Sequence, residues 1–190
     1  MRIIFGGNSD IGKAINGVHI SREECDITSY NQIFKVYQKY KPTEVVNCAG
    51  VICPSPLIDS QYWDFGKEIS VNLMGAYLIA RIGIMFSKKF VFIGSTAGLR
   101  GKANWSGYCA SKAGLISLVQ SIGNEGYDAW CLNIGRTDTK MRKGLYPTED
   151  KNSLMSTAYV SSIVEECFNG KYPTGSSILV KKDEKIEVTE

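Results

Sequence analysis

Arg2-Ile3-Ile4-Phe5-Gly6-Gly7-Asn8-Ser9-Asp10-Ile11-Gly12 is the stretch that decides the architecture. Its first four residues read as a short strand, and the glycines that follow open a tight turn into a helix start. Beyond it, short apolar runs alternate with longer stretches of helical period. The strand candidates are Arg2–Phe5, Val18–Ser21, Glu44–Asn47, Phe90–Ile93, Ala129–Ile134 and Ser177–Lys181. Between them lie Ser29–Tyr40, Gln61–Phe86, Tyr108–Gly123 and Thr157–Phe168, with Ile33, Phe34, Tyr37 and Tyr40 on one stripe of the first. The strands are apolar nearly throughout, as strands covered on both faces are.

This alternation predicts an α/β fold: a single Rossmann-like doubly wound parallel sheet with helices on both faces. At 190 residues the chain is expected to form one domain spanning 1–190. Lys+Arg 22 against Asp+Glu 19 leaves a net charge of +3, too small a surplus to call for nucleic acid or an anionic membrane. Met1-Arg2 runs straight into the first strand, so no targeting segment is expected. The longest apolar stretch, Ala76–Phe86, contains Arg81 and falls short of the roughly 20 residues that a membrane span needs. Cys25, Cys48, Cys53, Cys109, Cys131 and Cys167 include no Cys-x-x-Cys pair, and His19 is the one histidine. No metal site is expected from that set; reduced, packing cysteines are, and they suit a cytoplasmic protein.

Two regions carry chemistry. Gly6, Asn8, Ser9, Asp10, Ile11 and Gly12 form the first β-to-α joint, where glycines let a pyrophosphate approach main-chain N–H groups. Such a turn also serves as a plain connection. Lys13-Ala14-Ile15 supplies about one helical turn before Asn16-Gly17, so the first crossover is unusually small. Either Lys13 helps to neutralise a pyrophosphate or the second strand lies elsewhere. Ser21 and Arg22 follow that strand, where an acid would select NAD and an arginine admits a 2′-phosphate. NADP(H) is therefore favoured and NAD(H) stays open, the alternative for Arg22 being a solvated pairing with Glu23 or Glu24. At the second region, Tyr108 and Lys112 are four apart on one helix face, and Ser95 closes a strand on the same sheet edge. An ammonium beside a phenol favours phenolate, and with it acid/base chemistry.

With these pieces the chain resembles the short-chain dehydrogenase/reductase family in its single-domain form, over residues 2 to 182. The likeness rests on the glycine-rich turn, Asp26-Ile27-Thr28, Asn47-Cys48-Ala49-Gly50, Val71-Asn72-Leu73, Ser95, Tyr108-x-x-x-Lys112 and Ile134-Gly135-Arg136-Thr137-Asp138-Thr139. The resemblance implies an NAD(P)(H)-dependent oxidoreductase moving hydride between nicotinamide and a carbonyl or alcohol. It implies that Tyr108 is the general acid/base, Ser95 polarises the substrate oxygen, and Lys112 holds the nicotinamide ribose and depresses the Tyr108 pKa. Asn72 would hold a relay water through its backbone. Asp26 and Ile27 would flank the adenine, Asn47, Ala49 and Gly50 would stabilise the strand beside the cofactor, and Gly135, Thr137 and Thr139 would lie at the nicotinamide end. Phe5, Asp10 and Ile134 depart from the family's usual Thr, Gly and Pro, and the chain is shorter than the family's single-domain form.

Three loops, 51–60, 99–106 and 140–154, are expected to form the substrate pocket, with Trp105 and Tyr146 as candidate walls. Arg100, Lys102, Arg136, Lys140, Arg142 and Lys143 make its mouth basic, which hints at an anionic substrate. The long apolar helices either pack the sheet or meet a second subunit, and the resemblance favours a homodimer or homotetramer. Two functions stay in view: a carbonyl reductase or alcohol dehydrogenase, and a non-catalytic NADP-binding sensor or scaffold. The intact Ser95/Tyr108/Lys112 set favours the enzyme, while the truncated first crossover favours the binder.

Overall fold

A computed structural model describes residues 1–87 and 89–189. The strands are β1 (Arg2–Phe5), β2 (Val18–Ile20), β3 (Glu44–Asn47), β4 (Lys89–Ile93), β5 (Asp128–Ile134), β6 (Ser177–Val180) and β7 (Glu187–Thr189). They form one sheet in the order β2-β1-β3-β4-β5-β6-β7. Every neighbouring pair from β2 to β6 is parallel, whereas β7 runs antiparallel to β6. The expected doubly wound parallel sheet is thus present, with one antiparallel edge strand added to it. All three β7 residues are exposed, so no apolar pattern marks that strand.

Alternation along the strands explains why helices cover both faces. Ile3, Phe5, Val45, Phe90, Phe92 and Cys131 point into one core, beneath α2 (Tyr30–Tyr40), α4 (Gly75–Gly83) and α5 (Ser106–Asn124). Ile4, Val46, Val91, Ile93, Trp130 and Leu132 point into the other, beneath α7 (Thr157–Phe168). β1, β3, β4 and β5 thus bury apolar side chains on both sides, and a Rossmann-like doubly wound α/β sheet is the outcome.

One helix keeps to the sequence reading and another is locally rewound. The short first crossover is real: α1 covers only Asp10–Ala14, and β2 lies where it was placed. Ser9 caps α1 by accepting from Gly12 N at 3.0 Å. The expected helix over 61–86 runs without a break to Gly83, but as α3 (Tyr62–Ile69), a π-helical turn over Ser70–Met74, and α4. The wider turn carries Asn72 inward, and π-turns of this kind recur at functional sites. The 140–154 segment holds a short α6 (Lys140–Leu145) capped by Thr139, whose Oγ1 accepts from Arg142 N at 3.1 Å.

Candidate active site

The strand order reverses between β2 and β3 around β1, and ligands bind such sheets at this switch, outside the carboxyl ends of the strands. A cleft of about 1230 Å³ opens there. Asn8, Ser9, Asp10 and Ile11 line one end, Ala49 and Gly50 its floor, and Ser95, Tyr108 and Lys112 the other end. Gly135, Thr137 and Thr139 line it from beyond β5. The fold therefore brings most of the predicted site residues to one place.

The reacting end is built on α5. Tyr108 and Lys112 face inward from the same side of that helix and are both buried. The Lys112 Nζ lies 5.7 Å from the centre of the Tyr108 ring and donates to the Ile93 carbonyl at 2.8 Å. Ser95, in the turn after β4, accepts from Ala97 N at 3.1 Å and lines the cleft beside Tyr108. Trp105 stands edge-on to Tyr108, with ring centres 5.6 Å apart. Asn72 braces the set from the π-turn. Its Oδ1 accepts from Val51 N at 2.8 Å, and its Nδ2 donates to Val51 O at 2.9 Å and to Ser111 Oγ at 3.0 Å.

Electrostatics here correct one expectation. Burial pushes the Tyr108 phenol up to about 12, although the neighbouring Ser95 hydroxyl pulls the other way. Burial likewise lowers the Lys112 ammonium to about 8. The ammonium engages the Ile93 carbonyl, so it does not hold the phenol in an acidic state.

The remaining predicted residues are more dispersed. Gly6 turns the chain with φ +69°, and a Cβ there would come within 2.6 Å of Ala49 N. Gly12 is buried in α1, where a Cβ would meet the Gly6 carbonyl oxygen at 2.6 Å. Asn47 is buried and fixes the turn after β3 by accepting from Ala49 N at 3.1 Å. Ser21 N donates to Glu24 Oε2 at 2.8 Å just beyond β2, while Arg22 is exposed and forms no salt bridge among the described residues. Asp26 accepts from Thr28 N and Oγ1 at 2.9 and 2.8 Å. The Ile27 side chain packs into the core against Gly75, which leaves only its backbone to face an adenine. Gly6, Gly12, Ser21, Arg22, Asp26, Ile27, Asn47 and Asn72 do not line the cleft itself.

The departures from the family pattern have uses of their own. Phe5 packs in the core 5.9 Å from the Tyr37 ring. Asp10 Oδ2 accepts from Lys140 N at 2.6 Å, fastening the phosphate loop to the start of α6. At the mouth, Lys102 Nζ lies 3.8 Å over the Trp105 ring and donates to Tyr146 Oη at 2.6 Å. Arg142 pairs with Glu149 through two 2.6 Å bonds, and Arg136 approaches the same carboxylate at 3.5 Å. Glu149 thus offsets part of the basic surplus read from the sequence. Sequence reasoning missed Glu68, which is buried on α3; its one signal was an acid four residues before Asn72 on an inward helix face.

The residues fit an extended dinucleotide. The cleft is lined both by the Asn8–Ile11 turn at the start of α1 and by Tyr108 and Lys112, and Gly6, whose Cβ would come within 2.6 Å of Ala49 N, keeps that turn tight against the chain after β3. Fold and cleft together define a Rossmann-type α/β sheet with an open cleft at its topological switch. The family model for short chain dehydrogenase matches residues 6–150, and the chain belongs to that family.

Among curated relatives, the uncharacterized oxidoreductase YciK of Escherichia coli (strain K12) is 30% identical over 115 residues, 57% of this chain and 46% of that protein. The 3-oxoacyl-(acyl-carrier-protein) reductase MabA of Mycobacterium avium is 32% identical over 136 residues, 64% of this chain and 53% of that protein. The chain spans about half the length of these relatives. A small-chain dehydrogenase solved in complex with NADPH superposes with a TM-score of 0.85 at 16% identity, covering 95% of each chain. ElxO with NADP bound gives 0.81 at 20% identity over 94% of this chain and 96% of its own. At these identities the likeness is one of fold.

Proposed function

We propose that the chain is an NAD(P)(H)-dependent oxidoreductase acting on a small carbonyl or alcohol, with NADP(H) favoured and residues 1–190 working as one domain. The observation that carries this reading is the meeting of Ser95, Tyr108 and Lys112 at one end of the cleft. A bound nicotinamide supplies or accepts the hydride. Tyr108 gives its proton to the carbonyl oxygen in reduction and takes it back in oxidation, and Ser95 polarises that oxygen. Lys112 holds the ribose hydroxyls, and Asn72 keeps the Val51 backbone in place beside them. A phenol that stays protonated to about pH 12 suits carbonyl reduction, where it must begin with its proton on.

Arg22 supports the NADP(H) preference, because an exposed guanidinium can meet a 2′-phosphate. The NADPH- and NADP-bound structures of similar fold point the same way. Relatives named as 3-oxoacyl reductases make a short 3-oxoacyl thioester the first carbonyl to try. Exposed Tyr62, Trp63, Phe65, Met74 and Tyr77 on α3, the π-turn and α4 supply an apolar face for a homodimer or homotetramer. Six unpaired cysteines and the lack, among the described residues, of any helix long and apolar enough to cross a membrane suit the cytoplasm.

The test is consumption of NADPH and NADH by the purified chain with a carbonyl panel, repeated with Arg22→Ala. The native chain should turn over with NADPH in preference to NADH. Arg22→Ala should raise the NADPH KM at least about tenfold, from loss of a charge-assisted bond, with little change for NADH. Equal losses for the two nucleotides would reverse the cofactor choice, and no carbonyl-dependent consumption would reject the enzymatic reading.

A further inference from the structure

Among the described residues, Glu68 is the buried carboxylate that the proposed chemistry leaves unused. It sits at 3% exposure on the inward face of α3, a place where an isolated charge is costly unless something uses it. Its Oε1 accepts from Cys53 N at 2.8 Å, in the loop on the substrate side of the cleft. Its Oε2 lies against the backbone of Gly107 in the first turn of α5, so closely that a Cβ there would come within 2.2 Å. Gly107 directly precedes Tyr108. One carboxylate therefore touches the substrate-side loop and the start of the helix that carries the phenol.

We propose that Glu68 is a positioning residue, its buried carboxylate tying the loop at Cys53 to the first turn of the Tyr108 helix. The assignment deepens the oxidoreductase reading and rests on it for the role of Tyr108. The negative charge has two neighbours that can report it. It favours the protonated form of the Tyr108 phenol, which also faces Ser95 from the turn after β4 and Cys109 and Lys112 on α5. It favours the protonated form of the Cys53 thiol as well, which also faces Asp64 and Lys67 on α3. Glu68 itself faces Asp64 and the Cys53 N–H, and burial raises its pKa. Removing the charge while keeping an acceptor for Cys53 N should lower both affinities for a proton without releasing the loop.

Glu68→Gln does that, Glu68→Leu removes charge and tie together, and exposed Glu125→Gln controls for net charge. Alkylation of partly exposed Cys53 by iodoacetamide, followed against pH by peptide mass spectrometry, needs no substrate. Its midpoint should fall by about half a pH unit in Glu68→Gln and stay put in Glu125→Gln. Glu68→Leu should also raise the limiting alkylation rate several-fold, about what loss of a buried charged hydrogen bond allows. A Cys53 profile in Glu68→Gln that overlays the native one would overturn the proposal. If the native chain consumes no NADPH with any carbonyl, the oxidoreductase reading fails, and the Cys53 profiles still decide the tie.

Discussion

Tyr108→Phe should lower carbonyl reduction by about a thousandfold while leaving NADPH affinity within about twofold. The substitution removes one oxygen and nothing else. The ring keeps its edge-on contact with Trp105 and its place beside Lys112, so the wall of the cleft survives. What disappears is the proton that the carbonyl oxygen must receive. Phenylalanine leaves no buried hydroxyl to satisfy, so the variant should fold normally. Initial rates together with NADPH fluorescence titration check both halves. Turnover near the native rate would remove Tyr108 from the chemistry, and a large loss of NADPH affinity would recast it as a binding residue.

Lys112→Met should be nearly as damaging, and should differ in kind. Loss of the ammonium removes charge-assisted bonds to the ribose, worth about 1.5–3 kcal/mol, so NADPH affinity should fall about 10- to 100-fold together with turnover. Methionine keeps the length of the stem and lifts the cost of burying a charge, so a collapsed fold is not the expected cause. The pH dependence has a definite sign. Burial lowers the Lys112 pKa to about 8, so the charged form that grips the nucleotide is present below that value and is lost as pH rises through it. Native NADPH affinity should therefore weaken on going from pH 7 to pH 9. In Lys112→Met that step should vanish. Binding titrations at several pH values would show it, and the same step in both proteins would assign it to another group.

Much of this was legible before any coordinates. Strand alternation was visible because these strands bury both faces, so Ile3-Ile4-Phe5, Val45-Val46 and Phe90-Val91-Phe92 read as unbroken apolar runs. The Tyr108 and Lys112 pairing was visible because helical periodicity maps four residues onto one face. Features set by tertiary packing were not. The π-turn at Ser70–Met74 follows from Asn72 reaching Val51 and Ser111, contacts separated by 21 and 39 residues. The exposed β7 had no apolar pattern to announce it. The direction of the Tyr108 shift depends on burial and on where the Lys112 ammonium turns, and neither can be read from spacing. Asp10 looked like a flaw in a glycine-rich turn, and only the fold brings Lys140 to it.

Label transfer tests the central claim most directly. NADPH carrying deuterium at both positions of nicotinamide C4 is incubated with the native chain and a carbonyl it consumes, and the alcohol is analysed by mass spectrometry. One deuterium should appear on the carbinol carbon, at a rate that Tyr108→Phe lowers by about a thousandfold. Unlabelled alcohol, or labelled alcohol formed equally fast by the variant, would contradict hydride transfer assisted by the Tyr108 proton.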